Sequence, residues 1–220
     1  GGCWVSGSGR GAQLSLTNAK IDGNSTPRDG GGFYTRDGAM VTLNEVNITN
    51  NRAETDGGGF HADYGEDTVS INGGTISGNI AGYQNDSEEA PRGGGFSLAG
   101  KANFTNVTVS NNKTDWLDVD GSDVNESSKD RRGGGAEIEG TATFTATNVT
   151  FDGNQSYGIG AGLYVEGKII AKTDALATDP TNGLSVKNSS FLADNWRRDG
   201  AGVYFTGASY ADWRGGEISG

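Results

Sequence analysis

Apolar residues recur in a fixed pattern along the chain, and the clearest copy runs from Gly30 to Asn51. A run of glycines precedes Phe33. Four apolar residues follow further along, separated by two, three and two positions, and an asparagine stands three positions after the last of them. In this copy the pattern consists of Val41, Leu43, Val46, Ile48 and Asn51. Residues two apart point to one side of a β-strand, so the pattern predicts short strands with one buried face each.

The whole chain consists of copies of this unit. Its glycine half begins at Gly1, Gly30, Gly57, Gly93, Gly133, Gly160 and Gly200. Its periodic half ends five times in an asparagine, at Asn24, Asn51, Asn79, Asn112 and Asn154. We align the sixth copy as Leu184, Val186, Ser189 and Phe191, with Asp194 at the asparagine position, and the seventh copy stops after Ile218. Such a period is the sequence signature of a solenoid, because short strands bury a continuous core only by stacking.

We therefore predict an all-β fold: a right-handed, single-stranded parallel β-helix of about seven coils with loop insertions. The handedness follows the general preference of parallel crossovers. Each coil should hold three strands, one after the glycines and two in the periodic half. The columns Val41–Val69–Ala102–Phe144 and Ile48–Ile76–Val109–Phe151 should be buried, each residue on its counterpart one coil away.

Composition narrows the class of protein. The 39 glycines of the 220 residues belong to the repeat, and the net charge of −11 disfavours nucleic acid and anionic membranes as partners. No run reaches the roughly 18 apolar residues that predict a membrane span. The single cysteine, Cys3, provides no disulfide framework. Because the chain opens inside a glycine motif and stops inside a strand pattern, we expect residues 1–220 to be one β-helix segment of a longer protein.

The repeated asparagines and glycines have a structural interpretation. Stacked Asn24, Asn51, Asn79, Asn112 and Asn154 should form a ladder of side-chain hydrogen bonds from coil to coil. The glycines supply positive φ or close backbone approach. They are not a phosphate cradle, because no helix follows them.

Three insertions interrupt the repeat, at residues 80–92, 113–132 and 166–183. The first two follow consecutive copies and should leave the same corner of neighbouring coils. They carry Tyr83, Trp116 and Leu117, apolar anchors that predict an interaction lobe. Asp118, Asp120 and Asp123 are either calcium ligands or part of a solvated acidic loop. No other cofactor is expected.

Many N-x-S/T sequences are present. Asn106, Asn148 and Asn188 should share one outward corner, and Asn85 and Asn125 lie in the long insertions, so these five are the expected glycosylation sites. The acceptor sequences at Asn24, Asn112 and Asn154 coincide with the ladder, where the side chains should be buried and unmodified.

The segments GGGF with VTLNEVNITNN and GGGA with NVTFDGN resemble the paired glycine and F-x-x-N repeats of the polymorphic outer membrane proteins. In that family the repeats build the β-helical passenger of surface adhesins, and similar repeats occur in large extracellular proteins of microbial eukaryotes. The resemblance implies a non-enzymatic structural or adhesive solenoid of an extracellular, cell-surface or filament-forming glycoprotein. Its partners would be other chains of a surface assembly or a host or cell-surface ligand.

Two other classes of function remain open. A pectate-lyase-like enzyme would share the fold, but the outward columns of the periodic half offer no carboxylate pair, and we expect no catalytic residues. The only histidine, His61, should face out beside Tyr34 and Tyr164 as a surface residue. Ice binding by the Ser/Thr columns, or sugar binding by Tyr34, Tyr164 and Tyr204, is the remaining alternative.

Overall fold

The computed structural model describes residues 1–8, 11–83, 90–117, 131–172, 183–191, 200–207 and 209–220. These residues form a parallel β-helix without any helical segment, as predicted. Each coil contributes strands to three parallel sheets that surround one hydrophobic core. The first sheet has seven strands in chain order, one per coil, which confirms the predicted number of coils among the described residues.

Strands are numbered along the chain. The first sheet follows the glycines and consists of β1 (Cys3–Ser6), β5 (Phe33–Arg36), β8 (Phe60–Ala62), β11 (Phe96–Leu98), β14 (Ala136–Ile138), β17 (Leu163–Val165) and β21 (Val203–Phe205). The second sheet covers the periodic half and consists of β2 (Gln13–Thr17), β3 (Lys20–Asp22), β6 (Met40–Thr49), β9 (Thr68–Ser77), β12 (Lys101–Ser110), β15 (Thr143–Asp152), β18 (Lys168–Lys172), β19 (Leu184–Lys187), β22 (Tyr210–Trp213) and β23 (Ile218–Ser219). The third sheet consists of β4 (Ser25–Thr26), β7 (Arg52–Ala53), β10 (Ile80–Tyr83), β13 (Lys113–Leu117), β16 (Gln155–Ser156) and β20 (Ser190–Phe191).

The predicted core columns are present. Val41 pairs with Val69, Val69 with Ala102 and Ala102 with Phe144, and all four side chains are at most 1% exposed. The column Ile48–Ile76–Val109–Phe151 is in register in the same way and has no exposed surface. Burying one such side chain contributes roughly 1.5–3 kcal/mol, so the repeated columns supply much of the driving force for stacking.

Phenylalanine rings add a second kind of column to the core. Phe33, Phe60 and Phe96 stack face to face, with centroids 4.7 and 5.0 Å apart and nearly parallel planes. Phe104 and Phe144 meet edge to face at 5.1 Å. The parallel stacking follows from the repeat itself, because equivalent positions in successive coils have the same backbone conformation and the same rotamer fits.

The periodic half departs from the prediction of two separate strands. In the four central coils it forms one continuous strand of ten residues, bent where the spacing of apolar residues changes from two to three. A residue with positive φ stands at each bend: Glu45, Gly73, Asn106 and Asn148. This left-handed residue keeps the apolar residues on both sides of it directed inward, and asparagine and glycine tolerate the conformation well.

The third sheet was not predicted, because the residues after each ladder asparagine were interpreted as turns. Most of its strands are only two residues long and polar, as in Arg52–Ala53. Backbone hydrogen bonds nevertheless pair them from coil to coil, for example Arg52 N–H to the carbonyl of Asn24 at 2.8 Å. These strands are too short to show a hydrophobic period in the sequence, so only their backbone hydrogen bonds to the neighbouring coil identify them.

The predicted alignment of the sixth coil was wrong. Ile169 and Ala171 pair with Phe144 and Ala146, and Leu184 and Val186 pair with Val149 and Phe151. Along the chain, the insertion therefore falls between Lys172 and Gly183, which is between two strands of the second sheet. The prediction had placed it at residues 166–183, before the strands of the second sheet.

In consequence, the sixth ladder position falls on Ser189 and not on Asp194. Ser190 N–H donates to the backbone carbonyl of Asn154 at 3.0 Å. The equivalent hydrogen bond one coil earlier runs from Gln155 N–H to the backbone carbonyl of Asn112 at 2.9 Å. Ser189 thus takes the place that Asn154 occupies in the preceding coil. The apolar spacing fits either alignment, and only the backbone pairing between coils distinguishes them.

Glycine is favoured in the triplets for two different reasons. The first has positive φ in six coils, from Gly30 (68°) to Gly200 (63°). At the third, a methyl group would overlap the carbonyl oxygen of the equivalent glycine one coil on, as at Gly95 against Gly135. Close approach of neighbouring backbones therefore explains why a third-position glycine is needed.

Candidate functional site: a polar cluster on the first sheet

The most unusual chemistry of the described residues lies on the outer face of the first sheet. The middle residue of each central strand faces away from the core, and the backbone register aligns Tyr34, His61, Ser97, Glu137, Tyr164 and Tyr204 in one column. Outward positions of a solenoid are usually solvated. Here His61 is 6% exposed and Ser97 and Glu137 are fully buried.

A second column explains part of this burial. The residue immediately before each glycine triplet stacks on its counterpart, and the column contains Asp29, Asp56, Arg92, Arg132 and Ile159. Its charged side chains lie beside the first column. We use the name polar cluster for Asp56, His61, Arg92, Ser97, Arg132, Glu137 and Glu139.

Glu137 is at the centre of the polar cluster. Its Oε1 lies 4.0 Å from Nε of Arg92 and 3.7 Å from Nη1 of Arg132. Arg132 also pairs with Glu166 at 2.8 Å, and its guanidinium lies 4.7 Å from the ring centroid of Tyr164. The two arginines therefore only partly compensate the charge of the Glu137 carboxylate.

Burial raises the pKa of Glu137 well above its usual value, and the negative charge of Asp56 adds to the shift. Arg92 and Arg132 act in the opposite direction without cancelling it. The side chain consequently keeps its proton over a wider pH range than an exposed glutamate.

Glu139 follows the strand and reaches back over two coils. Its Oε2 accepts a hydrogen bond from the hydroxyl of Tyr64 at 2.8 Å, and its Oε1 lies 3.2 Å from Oγ of Ser97. Ser97 Oγ is also 3.4 Å from Glu137, so its single proton can satisfy only one carboxylate at a time. The hydrogen bond to Glu139 raises the pKa of Tyr64 to about 12.

Asp56, His61 and Glu139 converge. One ring nitrogen of His61 and one carboxylate oxygen from each acid lie within 4.8 Å of one another. Nδ1 of His61 is buried and has no hydrogen-bond partner among the described residues. The ring is stacked on Tyr34, with centroids 5.4 Å apart and planes inclined by 10°.

His61 was thus predicted on the correct face but in the wrong surroundings. It lies beside Tyr34, as expected, whereas Ser97 and Glu137 separate it from Tyr164. It is also buried rather than a surface residue. The flanking tyrosines are engaged as well: Tyr34 donates to Asp63 at 2.5 Å and Tyr164 to Glu166 at 2.8 Å.

The asparagines predicted to form a ladder stack in register, and Asn51, Asn79, Asn112 and Asn154 have no exposed surface. Each Oδ1 accepts from both the backbone N–H and Nδ2 of the asparagine one coil before it, at 2.9–3.0 Å, beginning with Asn24 to Asn51. Each Nδ2 of the buried members also donates to a backbone carbonyl at 2.9 Å. The side-chain amides of Asn51, Asn79 and Asn112 therefore use both protons of Nδ2.

The expected glycosylation sites occupy two different columns. Asn106 and Asn148 are exposed at the bend of the second sheet, and Nδ2 of Asn148 donates to Oδ1 of Asn106 at 2.8 Å. Asn188 is exposed but does not share their corner: it stands where Asn111 and Gly153 stand, and its Nδ2 donates to Asp152 at 2.7 Å. Asn85 and Asn125 lie outside the described residues.

The two long insertions start and end in paired backbone. Tyr83 pairs with Leu117 where they begin, and Arg92 pairs with Arg132 where they end. They therefore leave and rejoin adjacent coils at one corner, beside the polar cluster. Residues 80–83 and 113–117 belong to the third sheet, so both insertions are shorter than the predicted 80–92 and 113–132.

The side chains of Tyr83, Trp116 and Leu117 lie outside the described part of the structure, as do Asp118, Asp120 and Asp123.

Fold, ladder and glycine contacts together define a β-solenoid built from glycine and F-x-x-N repeats. The family model of the Chlamydia polymorphic membrane protein (Chlamydia_PMP) repeat matches residues 148–166, which confirms the predicted resemblance for this stretch. The stretch contains the ladder residue Asn154 and the glycine motif of the next coil. No curated protein sequence and no solved structure matches the chain.

Sequence reasoning missed the polar cluster. The outward positions of the first sheet were predicted only for the tyrosines and His61, and Ser97 and Glu137 were not recognised as members of the same column. A signal was present: Arg92 and Arg132 precede two successive glycine triplets, directly after Asp56 in the same column. Opposite charges in one column of adjacent coils indicate a network rather than separate surface residues.

Proposed function

We propose that this chain is a non-enzymatic structural and adhesive β-solenoid, an extracellular segment of a large cell-surface or appendage glycoprotein. The main support for the proposal is the regular stacking of the coils. The strands β6, β9, β12 and β15 pair in register, and the asparagine ladder joins the same coils. Such a rod is suited to spacing and presenting a binding surface.

The location on the cell surface rests on the repeat that residues 148–166 match, which is named for a polymorphic membrane protein. Within the described residues no helix has the length and apolar character needed to span a membrane. The proposal is therefore that the rod itself is displayed outside the cell.

The adhesive part of the proposal rests on the two long insertions. Both insertions leave and rejoin adjacent coils at one corner, where paired backbone holds their ends. Insertions on one face of a solenoid commonly carry binding. The partner proposed is another protein chain of a surface assembly or a cell-surface ligand.

The absence of catalysis is also part of the proposal. Its support is that the buried carboxyl groups near this corner are engaged internally, Glu137 with two arginines and Glu139 with Tyr64. An assay of the purified chain on acidic and neutral polysaccharides should release no reducing ends and no unsaturated products.

The decisive experiment replaces residues 118–130 with a short glycine–serine linker. Because the deletion begins after Leu117, it leaves the strand Lys113–Leu117 and its pairing with β10 and β16 intact. We expect an unchanged circular dichroism spectrum and unfolding midpoint, together with loss of binding to cells or of self-assembly.

The matched control removes residues 173–182, which leave the rod between Lys172 and Gly183, inside the second sheet. This variant should fold and bind like the parent. Equal binding by both deletion variants would refute an adhesive role for the corner, and equal loss would show that binding depends on general features of the rod.

A further inference from the structure

We infer that Asp56, His61 and Glu139 form a binding site for a divalent transition-metal ion of the zinc type. Their ligand atoms lie within 4.8 Å of one another, on two coils separated by a third. None of these three residues belongs to the set Asp118, Asp120 and Asp123, for which calcium binding was one of two alternatives.

The histidine is the first argument for a metal. His61 is the only histidine of the chain, is 94% buried, and has a buried Nδ1 without a hydrogen-bond partner among the described residues. An unsatisfied buried nitrogen costs about 1–3 kcal/mol, so the apo arrangement is unfavourable at this position. A cation bound at Nδ1 would relieve that cost, and stacking on Tyr34 already fixes the plane of the imidazole.

Charge is the second argument. Asp56 and Glu139 bring two carboxylate oxygens within 4.8 Å of each other and of a ring nitrogen of His61. Arg92 and Arg132 contact Glu137 at 4.0 and 3.7 Å, and Arg92 also interacts electrostatically with Asp56 and Glu139. A divalent cation between Asp56 and Glu139 would add positive charge where two carboxylates meet.

Glu139 is oriented as metal-binding carboxylates usually are. The hydroxyls of Tyr64 and Ser97 each approach a different oxygen of Glu139, at 2.8 and 3.2 Å. These contacts hold the carboxylate in place and leave further lone pairs for an ion. The small side chain of Ser97 between His61 and Glu137 leaves space for Glu139 to reach back to His61.

The donor set selects the class of ion. One imidazole nitrogen and two carboxylate oxygens suit Zn²⁺, whereas Ca²⁺ takes six to eight oxygen ligands. Zinc ligands stand about 2.0–2.2 Å from the ion, so ligand atoms near the 4.8 Å limit must move closer together when an ion binds. Water or another group would complete the coordination shell. Such an ion would link the third coil to the fifth.

The test uses the chelator-treated full chain and Zn²⁺ as the probe. Calorimetry should show one tight site, and ¹⁵N NMR should show Zn²⁺-dependent shifts of the single imidazole, which needs no assignment because the chain has one histidine. His61→Gln and Glu139→Gln each remove a direct ligand. Each should therefore weaken Zn²⁺ binding by more than the factor of about 10–100 that is typical when a residue hydrogen-bonded to a ligand is lost.

Two controls isolate the site. Glu66→Gln removes the same charge from an exposed side chain that pairs with Lys101 at 2.7 Å, and Cys3→Ser removes the only thiol; neither should change the affinity. Unshifted imidazole resonances, unchanged affinity in folded His61→Gln and Glu139→Gln, or displacement of Zn²⁺ by equimolar Ca²⁺ would each overturn the proposal. Circular dichroism in chelator establishes that the variants are folded.

Discussion

Asn112 and Asn154 are joined by two hydrogen bonds, because both the backbone N–H and Nδ2 of Asn112 donate to Oδ1 of Asn154 at 3.0 Å. One side-chain oxygen thereby satisfies two donors of the preceding coil. The same geometry recurs from Asn51 to Asn79 and from Asn79 to Asn112. The ladder is a continuous structural element that binds neighbouring coils at one corner.

Replacing Asn112 with alanine should lower the free energy of unfolding by at least about 3 kcal/mol, because several buried groups lose their partners at about 1–3 kcal/mol each. Among them are the N–H and Nδ2 of Asn79, which both donate to Asn112. Urea denaturation followed by circular dichroism measures the loss.

Asn111→Gly is the matched control for this prediction. Asn111 is exposed with a φ of 53°, and glycine stands at the same place in other coils, at Gly78 and Gly153. Its unfolding free energy should stay within about 0.5 kcal/mol of the parent, as is usual for exposed positions. A similar loss in both variants would show that the corner as a whole, and not the ladder, is sensitive.

Gly95→Ala should be strongly destabilising although alanine is a small residue. Its methyl group would overlap the carbonyl oxygen of Gly135 and lie 3.0 Å from Nδ2 of Asn112, so adjacent coils would have to separate. We expect a loss of about 2 kcal/mol or more, in the range of overpacked sites.

Gly140→Ala, where an added methyl group meets nothing within 4 Å, should unfold at the parent's midpoint. Thermal unfolding of the two variants side by side is sufficient. Equal midpoints for Gly95→Ala and Gly140→Ala would contradict the close-approach explanation of the third glycine.

The carboxyl group of Asp22 should titrate at a pH of about 2. A hydrogen bond from Thr49 at 2.6 Å contributes most to lowering the pKa, and contacts with Lys20 and Asn50 add to it. Because the folded pKa lies below the ordinary 3.8, this group stabilises the fold above about pH 4, and the contribution is lost as the pH falls through about 2.

Side-chain ¹³C NMR measures this titration directly. Thr49→Val, which removes the main hydrogen bond, should move the midpoint upward towards 3.8. An unchanged midpoint in that variant would show that Thr49 does not control the Asp22 carboxyl.

Glycans added by a eukaryotic host should occur on Asn106, Asn148 and Asn188, which are exposed, and not on Asn112 or Asn154, which have no exposed surface. Since the side chains of Asn106 and Asn148 are 2.8 Å apart, one of the two should usually remain unmodified. Glycopeptide mass spectrometry reports occupancy site by site. Full occupancy of Asn154 would be incompatible with its place in the ladder.

The repeat, the parallel β-helix and the core residues of the first five coils could be predicted from the sequence. The reason is that a repeated apolar spacing such as that of Val41, Leu43, Val46 and Ile48 buries one face only when copies stack in register. The ladder followed for the same reason, because a residue at a fixed offset from the core must meet its own counterpart in the next coil.

The strand pairing of the sixth coil and the burial on the outer face of the first sheet could not be predicted from the sequence, because both depend on contacts between coils. Ser189 and Asp194 both fit the spacing, and only hydrogen bonding to Asn154 selects the alignment. The polar cluster joins Asp56 and His61 with Glu139 from two coils further along. The contact between these residues depends on the length of the Glu139 side chain and on the small size of Ser97 between them. The spacing of apolar residues along the chain carries no information about either.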